Sequence, residues 1–308
     1  MLKPRALRQG DRLAIVAPAS HFDREEFDQG VLEIQRLGFE PAYDESVFAR
    51  KRDYLAGPAD VRAQAIRAAW ADPSIAGLVA VRGGYGSAQV LPLLDAADAR
   101  KAGKPFIGYS DLTAMLTWLT LHCGVVAFHG PMLAGRLGKG DDGYDRASFE
   151  KALCHATPMG ELAPAGLETI VPGEAIGMLL GGTLTQLLAS LGTPYEFRPP
   201  QGYVLFLDEV GERPYRLDRM MTQLEHTGLL AKASAVVIGE LPRCDEPSGT
   251  PTGRATMAEM LADFHGPVIM GFPSGHTSGP SMTLPFGVSA RIIADGRPRV
   301  IIEESAVQ

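Results

Sequence analysis

Short apolar runs alternate with amphipathic stretches through the first half of the chain, and this alternation restricts the fold more than any other feature. Leu13-Ala-Ile-Val-Ala-Pro18 is a continuous apolar run closed by proline and Ala-Ser, the pattern of a strand buried on both faces. Phe27, Val31 and Ile34 recur at helical spacing, and Gly38 stands where that helix would stop. Residues 59–70 form a second helical stretch, and Gly77-Leu-Val-Ala-Val81 a second strand. Phe106-Ile-Gly108 reads as a third strand, followed by a helix from Asp111 to about His122 and by Val125-Val-Ala-Phe128. Repeated β-α-β order demands a parallel sheet with helices on its faces, Rossmann-like or flavodoxin-like in form.

The texture changes between 157 and 174, where Pro158, Gly160, Pro164, Gly166, Pro172 and Gly173 interrupt every period. A linker is expected there, between an N-terminal α/β domain over 1–156 and a C-terminal domain over 175–308. In the latter, Tyr203-Val-Leu-Phe-Leu207, Ala235-Val-Val-Ile238, Pro267-Val-Ile-Met270 and Ala290-Arg-Ile-Ile293 are strand-like. Leu217, Met221 and Leu224 share a helical face that Gly228 ends, and a late helix is expected near 253–263. The last strands lie close together with turn residues between them, so this half is expected to be a mixed, β-rich α/β domain.

Charge removes one class of function. The 308 residues carry a formal net charge of −7 and no extended Lys/Arg run, which argues against nucleic-acid binding. No stretch approaches the roughly 20 apolar residues of a membrane span, and the N-terminus lacks the apolar core of a secretory signal. Three scattered cysteines, Cys123, Cys154 and Cys244, suggest reduced thiols and a cytoplasmic location. No His-Glu-x-x-His occurs, and Cys154-His155 has no companion ligands, so neither metal nor cofactor is expected.

Four positions could carry chemistry. In Pro105-Phe-Ile-Gly-Tyr-Ser-Asp-Leu-Thr113 a strand gives way at once to a helix. Ser110 would then stand at the carboxyl edge of a parallel sheet, over a helix N-terminus that favours negative charge. Ser110 or Asp111 could equally cap that helix, and the Gly-x-Ser-x-Gly spacing of the α/β-hydrolase elbow is missing. Val81-Arg-Gly-Gly-Tyr-Gly-Ser87 follows a strand; it is either a tight turn or a source of backbone N–H donors with Arg82 beside a substrate carboxylate. His276 lies in the irregular loop Phe272-Pro-Ser-Gly-His-Thr-Ser-Gly-Pro280, where a base for a serine or a solvated side chain both fit. Asp208 and Glu209 end an apolar strand, where an acid can orient an imidazole or cap the next element.

Together these stretches resemble the LD-carboxypeptidase family, the muramoyltetrapeptide carboxypeptidases and their relatives. The similarity runs through Gly10 to Ser20, Val81 to Gly86, Gly108-Tyr-Ser-Asp111, His129-Gly-Pro-Met132 and Gly181-Gly-Thr183. It continues in Asp208 to Arg219, Gly275-His276 and Thr283-Leu-Pro-Phe286. The resemblance implies a triad in the order serine, acid, histidine, carried over to Ser110, an acid at 208 or 209, and His276. The family reads Leu-Glu-(Asp/Glu)-x-Gly-Glu with its first acid catalytic, whereas this chain has Leu207-Asp208-Glu209-Val-Gly-Glu212. Register favours Asp208 and residue type favours Glu209; neighbours on a strand face opposite sides, so only one can serve. Asp208 is the acid expected, with Glu209 the alternative, because the following Val-Gly-Glu-Arg-Pro fixes the register.

The resemblance further implies oxyanion donors from the Asp111 N–H and the Gly84 region, a site between the two domains, and a homodimer. It implies a serine carboxypeptidase that releases terminal D-alanine from muropeptide tetrapeptides in cytoplasmic peptidoglycan recycling, through an acyl-enzyme. Two other readings fit the same residues: hydrolysis of peptide–nucleotides of the microcin C type within the same family, and a binding module without activity.

Overall fold

A computed structural model describes all 308 residues. Five strands come from the first half: β1 (Arg12–Val16), β2 (Glu40–Ala42), β3 (Ile75–Ala80), β4 (Phe106–Gly108) and β5 (Ala127–His129). Nine follow. They are β6 (Gly160–Leu162), β7 (Glu168–Val171), β8 (Gly173–Thr183), β9 (Tyr203–Asp208), β10 (Ala233–Gly239), β11 (Val268–Phe272), β12 (Leu284–Phe286), β13 (Ser289–Ala294) and β14 (Arg299–Ile302).

The first sheet runs β12-β5-β4-β3-β1-β2, and β1 to β5 are parallel. The order 2-1-3-4-5 is the flavodoxin-like one: the chain leaves β1 to one side for β2 and returns on its other side for β3. Open sheets of this kind bind ligands beyond the carboxyl ends of the strands near such a reversal. The apolar run of β1 is buried at four of its five positions, as a doubly covered strand must be. The helix Arg24–Arg36 packs Phe27, Gly30, Glu33 and Ile34 inward. It starts at Asp23, whose carboxylate accepts the Glu25 and Glu26 N–H groups, and its C-cap Leu37 is followed by Gly38 at φ +86°.

The second sheet is mixed, in the order β6-β14-β13-β8-β9-β10-β11-β7. Strands β8 to β11 are parallel; β13, β14, β6 and β7 are antiparallel to their neighbours. Residues 157–174, the expected linker, contain β6 and β7, the two edge strands of this sheet, and the start of β8. Short edge strands tolerate flanking glycine and proline, so breaker residues there mark bends and not an absence of pairing. The chain beyond 175 also does not stay in one sheet: β12 crosses back to pair with β5, Leu284 opposite His129.

Strand periodicity explains how the halves join. Val204 and Phe206 of β9 belong to a 67-residue core that also holds Leu13, Val79 and Ile107 of the first sheet. Tyr203, Leu205 and Leu207, on the opposite face, belong to a 22-residue core closed by Leu217, Met221 and Leu224 of the helix Pro214–His226. The two sheets therefore share one apolar interior, and side chains at their carboxyl ends are fixed relative to each other by packing.

Candidate active site

Strand β4 ends at Gly108, Tyr109 is extended, and Ser110 opens a tight turn that continues into the helix Thr113–Thr117. Ser110 has φ +64°, a left-handed conformation that costs a non-glycine residue roughly 1 kcal/mol or more. Neither Ser110 nor Asp111 caps the helix by a side-chain hydrogen bond. The strained strand–turn–helix lifts Ser110 as a nucleophile elbow does, although the flanking glycine spacing differs.

The glycine-rich turn lies against this serine. A Cβ added to Gly83 would sit 2.8 Å from Ser110 Cβ, 3.1 Å from its Oγ and 3.3 Å from the Asp111 nitrogen. Gly84, at φ +87°, faces Ser20 instead, where a Cβ would lie 2.5 Å from the Ser20 hydroxyl. The Asp111 carboxylate fastens the turn to the elbow: it accepts the Ser87 N–H at 2.7 Å, and the Asp111 carbonyl accepts the Ser87 hydroxyl at 2.6 Å. Burial holds the Asp111 carboxyl above its ordinary pKa, opposed by the hydrogen bonds from Ser87 and Gly86. Buried Arg62 braces the turn from below, donating to the carbonyls of Pro18, Gly57 and Gly86 and to Gln89. Arg82 is exposed on the rim and donates to the His21 carbonyl at 3.2 Å.

Asp208 ends β9 with no exposed surface, and its Oδ2 lies 2.8 Å from His276 Nδ1. The same carboxylate receives the His276 backbone N–H and, at 3.4 Å, the Thr183 hydroxyl. Glu209 points elsewhere. It accepts the Thr185 N–H and hydroxyl at 2.9 and 2.7 Å and the Val210 N–H at 3.0 Å, and burial pushes its pKa up. Of the two adjacent acids, only Asp208 meets the histidine. Gly275 makes this contact possible, since a Cβ there would stand 2.5 Å from Asp208 Oδ2.

The serine and acid are tied together by backbone. Thr113, three residues past Ser110, accepts the Thr183 N–H on its hydroxyl at 3.0 Å, and Gly182 (φ +137°) leaves room for that side chain. Strand β8 pairs Thr183 with Asp208. Tyr109, next to the serine, packs edge-on against His276 with ring centroids 5.1 Å apart. Asp208 and His276 are in direct contact, Ser110 and Asp111 lie against the Gly83-Gly84 turn, and Tyr109 links the two groups by packing on His276, whereas Glu209 stands apart and Arg82 is exposed.

An LD-carboxypeptidase N-terminal domain matches residues 13–130, and an LD-carboxypeptidase C-terminal domain matches residues 176–292. The chain belongs to the LD-carboxypeptidase family. It is 33% identical to a probable murein peptide carboxypeptidase of Bacillus subtilis over 97% of this chain and 94% of that one. A crystal structure of muramoyltetrapeptide carboxypeptidase from Oxalobacter formigenes superposes with a TM-score of 0.83 at 27% identity, covering 96% and 99% of the two chains. The microcin C7 self-immunity protein MccF shares the fold, with a TM-score of 0.88 at 24% identity over the whole of both chains. This LD-carboxypeptidase relative is thus a carboxypeptidase with the two-part α/β fold.

Several residues around the LD-carboxypeptidase site carried no assignment from sequence. His129 is fully buried behind Asp208, and its Nδ1 pairs with the Ser274 hydroxyl at 2.9 Å. That hydroxyl donates to the Met282 carbonyl at 2.8 Å, so the imidazole must supply the Nδ1 proton, leaving Nε2 without a partner. Burial pushes the His129 pKa down to about 4. Arg136 and Arg62 were likewise unmarked: their partners are mostly backbone carbonyls far away in the chain, which leave no local pattern. No three His, Cys, Asp or Glu side chains converge to hold a metal, and no helix is long and apolar enough to cross a membrane.

Proposed function

We propose that this carboxypeptidase is serine-type and hydrolyses the L,D amide bond that releases terminal D-alanine from muropeptide tetrapeptides, in cytoplasmic peptidoglycan recycling. The observation that carries the reading is the Asp208–His276 pair at 2.8 Å together with an elbow serine held at φ +64°, whose neighbour Tyr109 packs on the His276 ring. A serine is a poor nucleophile unless a base takes its proton as it attacks. With Nδ1 engaged by Asp208, the His276 ring is in the tautomer that leaves Nε2 free to do so. Buried Asp208 then steadies the imidazolium.

Attack of Ser110 Oγ on the amide carbon breaks its π-bond and places negative charge on the oxygen. The Asp111 N–H donates to no acceptor in the chain, and neither do the N–H groups of Gly83 and Gly84. These are the donors assigned to that oxygen, Gly84 with its Gly83 neighbour on one side and Asp111 on the other. His276 returns the proton to the departing D-alanine amine, then activates water to hydrolyse the acyl-serine. The glycine turn leaves the substrate backbone close access, and Arg82 on its rim supplies a cation for the free carboxylate of the leaving residue. The relatives' names supply the substrate class, and the enzyme is read as a homodimer without metal.

The test compares wild type with Ser110→Ala on a muramoyl tetrapeptide, following free D-alanine by mass spectrometry with and without chelator. Release by wild type alone, unaffected by chelator, is expected. Absence of release from the tetrapeptide overturns the muropeptide reading, and cleavage of a peptide–nucleotide amide instead would move the substrate to that class. Equal activity of Ser110→Ala overturns the nucleophile.

A further inference from the structure

We propose that Arg136 is a positioning residue that sets His276 against Ser110 by clamping the histidine loop to the serine elbow. This rests on the serine mechanism above. Its guanidinium makes five contacts. Nη2 donates to the carbonyls of Gly275 at 3.1 Å and Thr277 at 2.8 Å, the two residues that flank His276. Nη1 donates to Gly279 O at 2.9 Å and Gly143 O at 3.3 Å, and Nε to the Tyr109 hydroxyl at 3.4 Å. Tyr109 precedes Ser110 and packs its ring on His276.

The clamp is rooted in the first sheet. The Leu133 and Ala134 N–H groups bond the carbonyls of Ala80 and Val81, at the end of β3, at 3.0 and 2.9 Å. The segment Leu133–Arg136 therefore joins the strand end that leads into the glycine turn, by its backbone, to the residue before the serine and the carbonyls on both sides of the base, by its cation. The loop Pro273–Pro280 has no helix or strand to fix it. Its imidazole is anchored to Asp208 at Nδ1, but the ring's inclination toward Ser110 depends on the backbone at 275 and 277. A planar fork reaching several carbonyls at once fixes that backbone, which a single ammonium cannot do.

No charged partner satisfies Arg136; all its acceptors are carbonyls and one phenol. Many surface arginines of this chain pair with carboxylates, as Arg146 does with Glu150, although Arg100 also bonds only carbonyls, at Cys123 and Gly124. A cation whose acceptors are four carbonyls and a phenol beside a base is placed to control geometry, and displacement of a reacting group by about 1 Å costs on the order of 10²-fold in rate.

The experiment compares wild type, Arg136→Ala and Arg136→Lys on the muramoyl tetrapeptide, well below each protein's melting temperature. Expected for Arg136→Ala is a kcat lower by about 10²-fold with KM within about threefold of wild type, partly restored by millimolar guanidinium. Arg136→Lys is expected to lose at least about tenfold in kcat and to gain nothing from guanidinium. The hydrogen-bonded Nδ1 proton of His276, read by NMR without substrate, is expected to broaden or shift in both variants. A kcat within twofold of wild type in Arg136→Lys overturns the proposal, even where Arg136→Ala fails to fold. So does an unchanged His276 proton resonance, or a loss that appears only in KM. Wild type inactive on the tetrapeptide would count against the proposed substrate, whereas the NMR comparison would still decide the clamp.

Discussion

Asp208 Oδ2 lies 2.8 Å from His276 Nδ1, and the same carboxylate accepts the His276 backbone N–H at 3.2 and 3.3 Å. One acid thus fixes both the tautomer and the main chain of the proposed base. Asp208→Asn keeps the volume but can present an amide N–H to the imidazole and select the wrong tautomer. A fall in kcat of about 10⁴-fold is expected, the size characteristic of a triad aspartate made into asparagine. Glu209→Gln is expected to keep kcat within a few fold. It should lower stability by about 1–3 kcal/mol, because the amide sets a donor against the Thr185 or Val210 N–H. Steady-state kinetics with urea unfolding of both variants decides the matter; the reverse pattern would make Glu209 the acid.

The glycine turn separates a steric effect from a conformational one. Gly83→Ala would put a methyl 2.8 Å from Ser110 Cβ, where the elbow cannot move without losing the Asp111–Ser87 bonds. A kcat/KM loss beyond about 10²-fold is expected, from serine displacement alone. Gly84→Ala meets the Ser20 side chain and a φ of +87°, so it is expected to cost about 1–3 kcal/mol of stability as well. Kinetics and thermal melts on the two variants test this. Gly83→Ala with near-wild-type activity would remove the turn from the serine's surroundings.

The sequence was most legible where a local pattern carries the structure. Leu13–Val16, Tyr203–Leu207 and Ala235–Ile238 declare buried strands because continuous apolar runs of that length have few other uses. Strand β8 was hidden by its own glycines. A Cβ at Gly177 or Gly181 would lie about 2 Å from a neighbouring carbonyl oxygen, that of Gly202 and Phe206 respectively. They are in the strand because neighbouring backbone passes so close. Leu284-Pro-Phe286 is too short and proline-broken to show a strand pattern; as an edge strand, β12 accommodates its proline.

At the site, local strand-end and loop patterns mark Ser110, Asp208 and His276 as candidates, but their spacing of 98 and 68 residues carries no periodic signal, so a joint role for them comes only from the resemblance. The choice between Asp208 and Glu209 follows from strand alternation once register is known. Arg136, Arg62 and His129 escaped because each is defined by partners distant in the chain, with no sequence signature of its own.

The thiols give a separate check on which side chain is nucleophilic. Cys123 and Cys244 are buried, with pKa values pushed up by burial to about 12 and about 11, and Cys154 is raised to about 11. A thiolate is the reactive form, so all three are expected to resist alkylation at neutral pH in the folded enzyme. Treatment with iodoacetamide should leave tetrapeptide cleavage unchanged, while a fluorophosphonate should abolish it and label Ser110. Inactivation by iodoacetamide with labelling of a cysteine would overturn serine chemistry.

His129 makes stability fall in acid in a way that one substitution isolates. Its folded pKa, pushed down by burial to about 4 from an ordinary 6.5, means the unfolded chain takes up a proton before the folded one does. The stabilisation is present above pH 6.5 and lost as pH falls through about 4, and it amounts to on the order of 3 kcal/mol. Asp111 and Glu209 act in the opposite sense. Their folded pKa values are raised by burial, so their contribution is present below the unfolded carboxyl range and lost as pH rises through the raised values. Those two groups are common to wild type and His129→Gln, in which an amide N–H can still reach Ser274 without titrating. Urea unfolding of both proteins at pH 7 and pH 4 is expected to show the wild type losing about 3 kcal/mol more than the variant. Equal losses would mean that His129 is protonated in the folded protein at acid pH without penalty, and that water or a rearranged Ser274 reaches its Nε2.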